Sequence, residues 1–93
     1  MRKIDHTNAF DRDFKRLSRG KFRNTLQHDL PLIVQSLAND ERLPEKNRDH
    51  DLGGQYRGYR ECHIKPDLLL VYQVVGDDTL ILFRLGSHSE LFK

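Results

Sequence analysis

The apolar positions of this chain change rhythm twice. Behind Thr7, which supplies an N-cap, Phe10, Phe14 and Leu17 recur at i, i+4 and i+7 and predict an amphipathic helix ending near Gly20. Lys15, Arg16 and Arg19 stand towards its C-terminal end, where the helix dipole favours cations. Phe22, Leu26 and Leu30 keep the helical spacing until Pro31, which lacks a backbone donor and crowds the preceding turn. Asp29 can recap the chain with Pro31 in a new first turn, so a kink or two abutting helices is expected, the apolar face running on through Leu32, Ile33, Val34 and Leu37 to about Asn39. Ahead of these helices, Met1 to Asp5 holds, besides Met1, one apolar residue, Ile4, and suits an edge strand.

From Asp40 to Gly54 neither period is present. Pro44, a mixed run of charges and a glycine pair predict a long surface loop, of the kind that is usually functional when a compact domain keeps one. From Tyr56 the period becomes two. Cys62 and Ile64 alternate with Glu61 and His63, so a core-facing Cys62 puts His63 on the open side of a strand. Pro66-Asp67 suits a tight turn, Leu68 to Val75 is a nearly continuous apolar strand, Gly76-Asp77-Asp78 is the next hairpin turn, and Thr79 to Leu85 is a further apolar strand. Ser87 and Glu90 have capping-box spacing, which starts a last helical turn at His88. These elements predict an α+β domain with helices packed on one face of an antiparallel meander and little left to cover the other face.

Size and charge narrow the picture without deciding it. The 93 residues make one domain, 1–93, and leave no room for a second core. Lysine plus arginine exceed the acids by 16 to 14, too small a surplus to imply nucleic-acid binding by itself. The single Cys62 has no internal disulfide partner, and no cysteine–histidine spacing resembles a zinc finger. With no signal-like N-terminal segment and no membrane-spanning stretch, a cytoplasmic location and no membrane partner are expected.

Candidate chemistry gathers in the second half. His50, His63 and His88 lie in three separate segments, each beside carboxylates and arginines, while His6 and His28 fall on or near the helices. Histidine titrates near neutral pH, and imidazole beside carboxylate and guanidinium suits a phosphodiester. Asp67 sits at the hairpin tip four residues after His63; Arg60 and Arg84 stand at strand ends, where they would offset charge on phosphorus. Backbone donors at Ser87–Ser89 would add to phosphate binding. Three histidines and an aspartate are also a full ligand set for zinc, though no pair has helical ligand spacing and the nearby arginines would repel a cation. On the residues alone, a nucleic-acid site, a metal site and an ordinary polar surface all stand open.

The ordered combination Leu43-Pro44, Asp49-His50-x-Leu52-x-Gly54, Gly58-Tyr59-Arg60, His63-x-x-Pro66-Asp67, Leu70-x-Tyr72 and Arg84-x-Gly86-x-His88-x-x-Leu91-Phe92 resembles the YafQ family of bacterial type II toxins, within the RelE/ParE superfamily. The resemblance implies a RelE-like fold of two helices on a four-stranded, mostly antiparallel sheet. It implies a ribosome-dependent mRNA endoribonuclease that inhibits translation and is neutralised by a cognate antitoxin, with the bacterial ribosome and mRNA as its other partners. By the same resemblance His88 is the proton donor, and His50, His63 and Asp67 orient the phosphate and activate the 2′-hydroxyl. Phe92 positions a base or the imidazole, Arg84 stabilises charge on the phosphate, and no metal or other cofactor takes part. Leu68 departs from the family pattern, which has tryptophan there, so a stacking platform is expected to be missing. The alternative from another class is a ParE-type toxin that inhibits gyrase, which has no need of three histidines and an aspartate on one surface; a third is an inactive homologue that only binds antitoxin.

Overall fold

In a computed structural model that describes residues 1–92, the sheet has five strands, not four. They are β1 (Lys3–His6), β2 (His50–Asp51), β3 (Arg60–Lys65), β4 (Leu68–Val75) and β5 (Thr79–Gly86), in the spatial order β1-β5-β4-β3-β2. All neighbours are antiparallel except β1, which lies parallel to β5. Helices α1 (Asn8–Leu17) and α2 (Arg23–Ala38) cover one face, and a single helical turn, α3 (His88–Leu91), follows β5.

The α1 start is as predicted, with the Thr7 hydroxyl accepting from Phe10 N at 3.0 Å. Pro31 does not break α2, which runs continuously from Arg23 to Ala38. The lost donor costs about 3 kcal/mol, and α2 tolerates it because Leu26, Leu30, Leu37 and Ala38 are all buried against the sheet. The main core is this helix–sheet interface: Phe10 and the α2 leucines meet Cys62, Ile64, Leu68, Leu70, Tyr72, Leu80, Leu82 and Leu85. Leu68 is fully buried there, so the position expected to lack a stacking tryptophan turns its side chain away from the open face.

The second face is less bare than the pattern suggested. Leu69, Val71 and Leu91 form a small second core, with Leu52, Tyr59, Phe83 and Phe92 packed on it. Turn α3 folds straight back onto β5 at Gly86, where a Cβ would sit 3.0 Å from Glu90 Oε1 and 3.3 Å from Leu91 Cδ2. A side chain at this position would press the ends of the Glu90 and Leu91 side chains aside, so glycine eases the close approach. The expected loop is also more ordered than its sequence suggested. Glu45–Asn47 and Gly54–Tyr56 are single 3-10 turns, and β2 lies between them. Buried Asn47 donates from Nδ2 to the His63 carbonyl at 2.8 Å, and Leu52 N bonds Tyr59 O at 2.9 Å, so the segment is clamped along β3. Gly58, at φ 96°, makes the turn that brings the chain into β3.

Candidate functional site

Period-two alternation on β3 sorts its side chains between the two faces. Cys62 and Ile64 enter the main core, while Glu61 and His63 pair across the ladder with Val71 and Leu69 on the second face. In β2, His50 is the cross-strand partner of Glu61 and shares that face. His88 arrives from the other end of the sheet as the first residue of α3. The capping box forms as predicted: Ser87 Oγ accepts from Glu90 N at 3.2 Å, and Glu90 Oε1 accepts from Ser87 N at 2.9 Å. The bond from Ser87 N holds the Glu90 carboxyl below the usual range, aided by the Ser87 side chain and the charge of Arg16.

The three histidines therefore converge, and they converge on a residue that the sequence reading passed over. Glu61 is 2% exposed. Its Oε2 lies 3.2 Å from His50 Nε2, 3.5 Å from His88 Nε2 and 3.8 Å from His63 Nε2. Its Oε1 is buried without a hydrogen-bond partner among the described residues. The missed signal was available: Glu61 is two residues from His63, on the same side of a strand. The His63 and His88 ring centroids are 6.4 Å apart, and Phe92 meets His88 edge-on at 5.2 Å and Tyr56 at 5.1 Å. Phe92 thus braces the exposed imidazole from the second core.

Asp67 stands at the rim of this group. It lines a cavity of about 410 Å³ with His63, His88, Leu69 and Ser87, but its Oδ2 is 3.2 Å from Lys21 Nζ.

The two arginines are placed otherwise than expected. Arg60 lies on the helix-facing side, in phase with Cys62 and Ile64, by the same alternation that turns His63 outwards. Its guanidinium meets Tyr72 Oη and Asp49, both at 3.2 Å, and Asp51. Burial pulls the Arg60 pKa down, but the bonds to Tyr72 and Asp49 and the Asp49 charge outweigh it and leave it raised. Arg84 donates from Nε and Nη2 to Asp13 at 2.7 and 3.2 Å, and this bond is the main reason its pKa is raised. Asp13 Oδ2 also accepts from Leu85 N at 3.0 Å, on β5 beyond the last residue paired with β1. This aspartate from α1 thus serves the strand edge after β1 has ended, and spends the arginine in doing so.

Cys62 is buried and its thiol is pushed up to about 12 by burial, with the charges of Asp49 and Glu61 adding to it; it is neither nucleophile nor ligand at neutral pH. Among the described residues, no three His, Cys, Asp or Glu side chains are disposed to hold a metal ion. No helix of the described residues is long and apolar enough to cross a membrane.

Residues 2–93 match the family described as bacterial toxin of type II toxin–antitoxin system, YafQ. The mRNA interferase toxin YafQ of Escherichia coli K12 is 34% identical over 99% of this chain and 97% of its own length. Among solved structures, a copper-bound mutant toxin from Helicobacter pylori superposes with a TM-score of 0.89 at 44% identity, covering 99% of this chain and 100% of that one. The toxin chain of the E. coli DinJ–YafQ complex superposes at 0.80 with 34% identity and full coverage of both chains.

Proposed function

We take as premise that the chain belongs to the YafQ family of bacterial type II toxins, and infer that it is an mRNA interferase: a toxin that cleaves mRNA, inhibits translation and is neutralised by a cognate antitoxin. It acts in the cytoplasm on mRNA held by the ribosome, which supplies the positioning that a net charge of +2 does not. The observation that carries the reading is the convergence of three imidazoles on the buried carboxylate of Glu61, beside a cavity open to a phosphodiester.

The reaction proposed is transfer to the neighbouring 2′-hydroxyl. A base takes the 2′-hydroxyl proton, the 2′-oxygen attacks phosphorus, and the 5′-oxygen leaves with a proton from His88, giving a 2′,3′-cyclic end. His88 suits the donor role because its side chain is 68% exposed and stands on the rim. His50, His63 and Asp67 surround the phosphate and include the base; Asp67 must first part from Lys21. Phe92 orients the His88 ring. Arg84 anchors the strand end that carries His88, through Asp13, and Arg60 has no substrate contact. The reaction needs no metal, since the substrate brings its own nucleophile.

Inducible expression of wild type and His88→Ala tests this. Wild type should arrest growth and cut mRNA within coding regions, and the variant should lose both. Arrest that persists in the variant with intact mRNA and damaged DNA would overturn the nuclease in favour of gyrase inhibition.

A further inference from the structure

Hydrogen-bond accounting at His50 assigns it a role that convergence alone leaves open. The ring is held at both nitrogens: Nδ1 is 2.6 Å from the Arg48 carbonyl oxygen, and Nε2 is 3.2 Å from Glu61 Oε2. A carbonyl oxygen has no proton to offer, so Nδ1 must donate there. A neutral imidazole would then have no hydrogen left for Nε2, and a lone pair would face a carboxylate oxygen that is almost removed from solvent. One more proton between Nε2 and Oε2 resolves the conflict. A protonated carboxyl could offer its single hydrogen to only one of the three Nε2 atoms grouped around it, whereas an ionised oxygen accepts from several N–H donors at once.

We propose that Glu61 is a positioning residue which, together with the Arg48 carbonyl, holds His50 as an imidazolium that meets the charge developing on the scissile phosphate.

The local fold is built for this grip. Arg48 has φ 47° and closes the 3-10 turn, Asn47 pins that turn to the His63 carbonyl, and the β2–β3 pairing sets His50 directly opposite Glu61. The titratable groups around Glu61 are His50 from β2, His63 from its own strand and His88 from α3. Arg60, Asp49 and Asp51 interact with one another on the sheet's other face. With Arg60 and Arg84 both spent on aspartates, an imidazolium at His50 supplies a cation on the phosphate-facing side of β2. An imidazolium has no ring lone pair, so His50 also leaves the set of possible bases, which narrows to His63 and Asp67. The catalytic part of this assignment rests on the nuclease reading; the protonation of His50 does not.

Nitrogen-15 NMR of histidine-labelled protein at neutral pH, assigned with a His50→Gln variant, reads the proton directly. Wild type should show both ring nitrogens of His50 protonated. Glu61→Gln, whose amide can donate to Nε2, should leave only Nδ1 protonated. A neutral His50 in wild type, or an unchanged imidazolium in Glu61→Gln, overturns the proposal. On ribosome-bound mRNA, Glu61→Gln should lower kcat about 10- to 100-fold with KM changed less than about threefold, and Glu61→Asp should recover part of the loss with the charge. A purely structural role would instead lower the melting temperature of both variants with no kcat recovery, and that result also overturns the assignment. If wild type shows the doubly protonated ring but cuts no mRNA, the nuclease reading fails and the grip on His50 stands.

Discussion

Arg60 and Glu61 are consecutive residues on β3, and each is the centre of a polar cluster on its own side of the sheet. On the helix side, the Arg60 guanidinium is shared among Asp49, Asp51 and the Tyr72 hydroxyl, and that hydroxyl donates to Asp49. Burial pushes the Tyr72 hydroxyl above its ordinary pKa and Asp49 pushes it further, so it stays a donor. The buried polar atoms of this cluster find partners among the described residues, although cavities of about 380 and 340 Å³ border it as well. On the other side one carboxylate gathers three imidazoles, one of its oxygens has no partner among the described residues, and a cavity opens beside it. A buried polar cluster that satisfies itself stabilises one fold, whereas a buried oxygen left without a partner keeps a place for a further donor.

Substitutions should separate the two faces. The largest effect is expected on the open one: His88→Ala should lower mRNA cleavage about 10²- to 10⁴-fold, with little change in melting temperature because the ring is mostly exposed. A variant that lost stability as well would blur the contrast. Next comes Asp13→Ala, which strands Arg84 and the Leu85 N–H; denaturant unfolding should show a loss of about 3 kcal/mol, towards the low end for a buried pair because Arg84 is one-third exposed. Tyr72→Phe removes one hydroxyl from the closed cluster and should cost about 1–2 kcal/mol of stability with cleavage per folded molecule unchanged. A fall in cleavage would mean that the clusters communicate through β3. The smallest effect is expected at Glu90. Its folded pKa is depressed, so its contribution is present above the unfolded value near pH 4.3 and fades as pH falls through the folded value. Glu90→Gln should therefore flatten acid unfolding below about pH 5 by only a few tenths of a kcal/mol, since the side chain is partly exposed.

Much of this arrangement was legible where a period or a cap is local. The alternation around Cys62 turned His63 outwards, and the Ser87–Glu90 spacing started α3 at His88. What could not be read from local pattern depends on partners distant in sequence. Strand β2 is two residues long and has no period of its own; it exists because Asn47, His50 and Leu52 are held against β3. Pro31 stays inside α2 because packing outweighs one lost bond. Arg60 is a different kind of miss, since the parity that exposed His63 already placed it on the helix side. Asp13, in the polar phase of α1, gave no sign that it would claim Arg84.

The parallel pairing of β1 with β5 bears on the order in which the molecule is made. Lys3 aligns with Thr79, so the earliest strand finds its sheet partner only after the latest strand has been synthesised, and closing so long a loop is slow. His88 follows β5, so it too is synthesised after His50 and His63. In a chain proposed to cut mRNA on translating ribosomes, the third histidine of the candidate site is therefore the last of the set to be made.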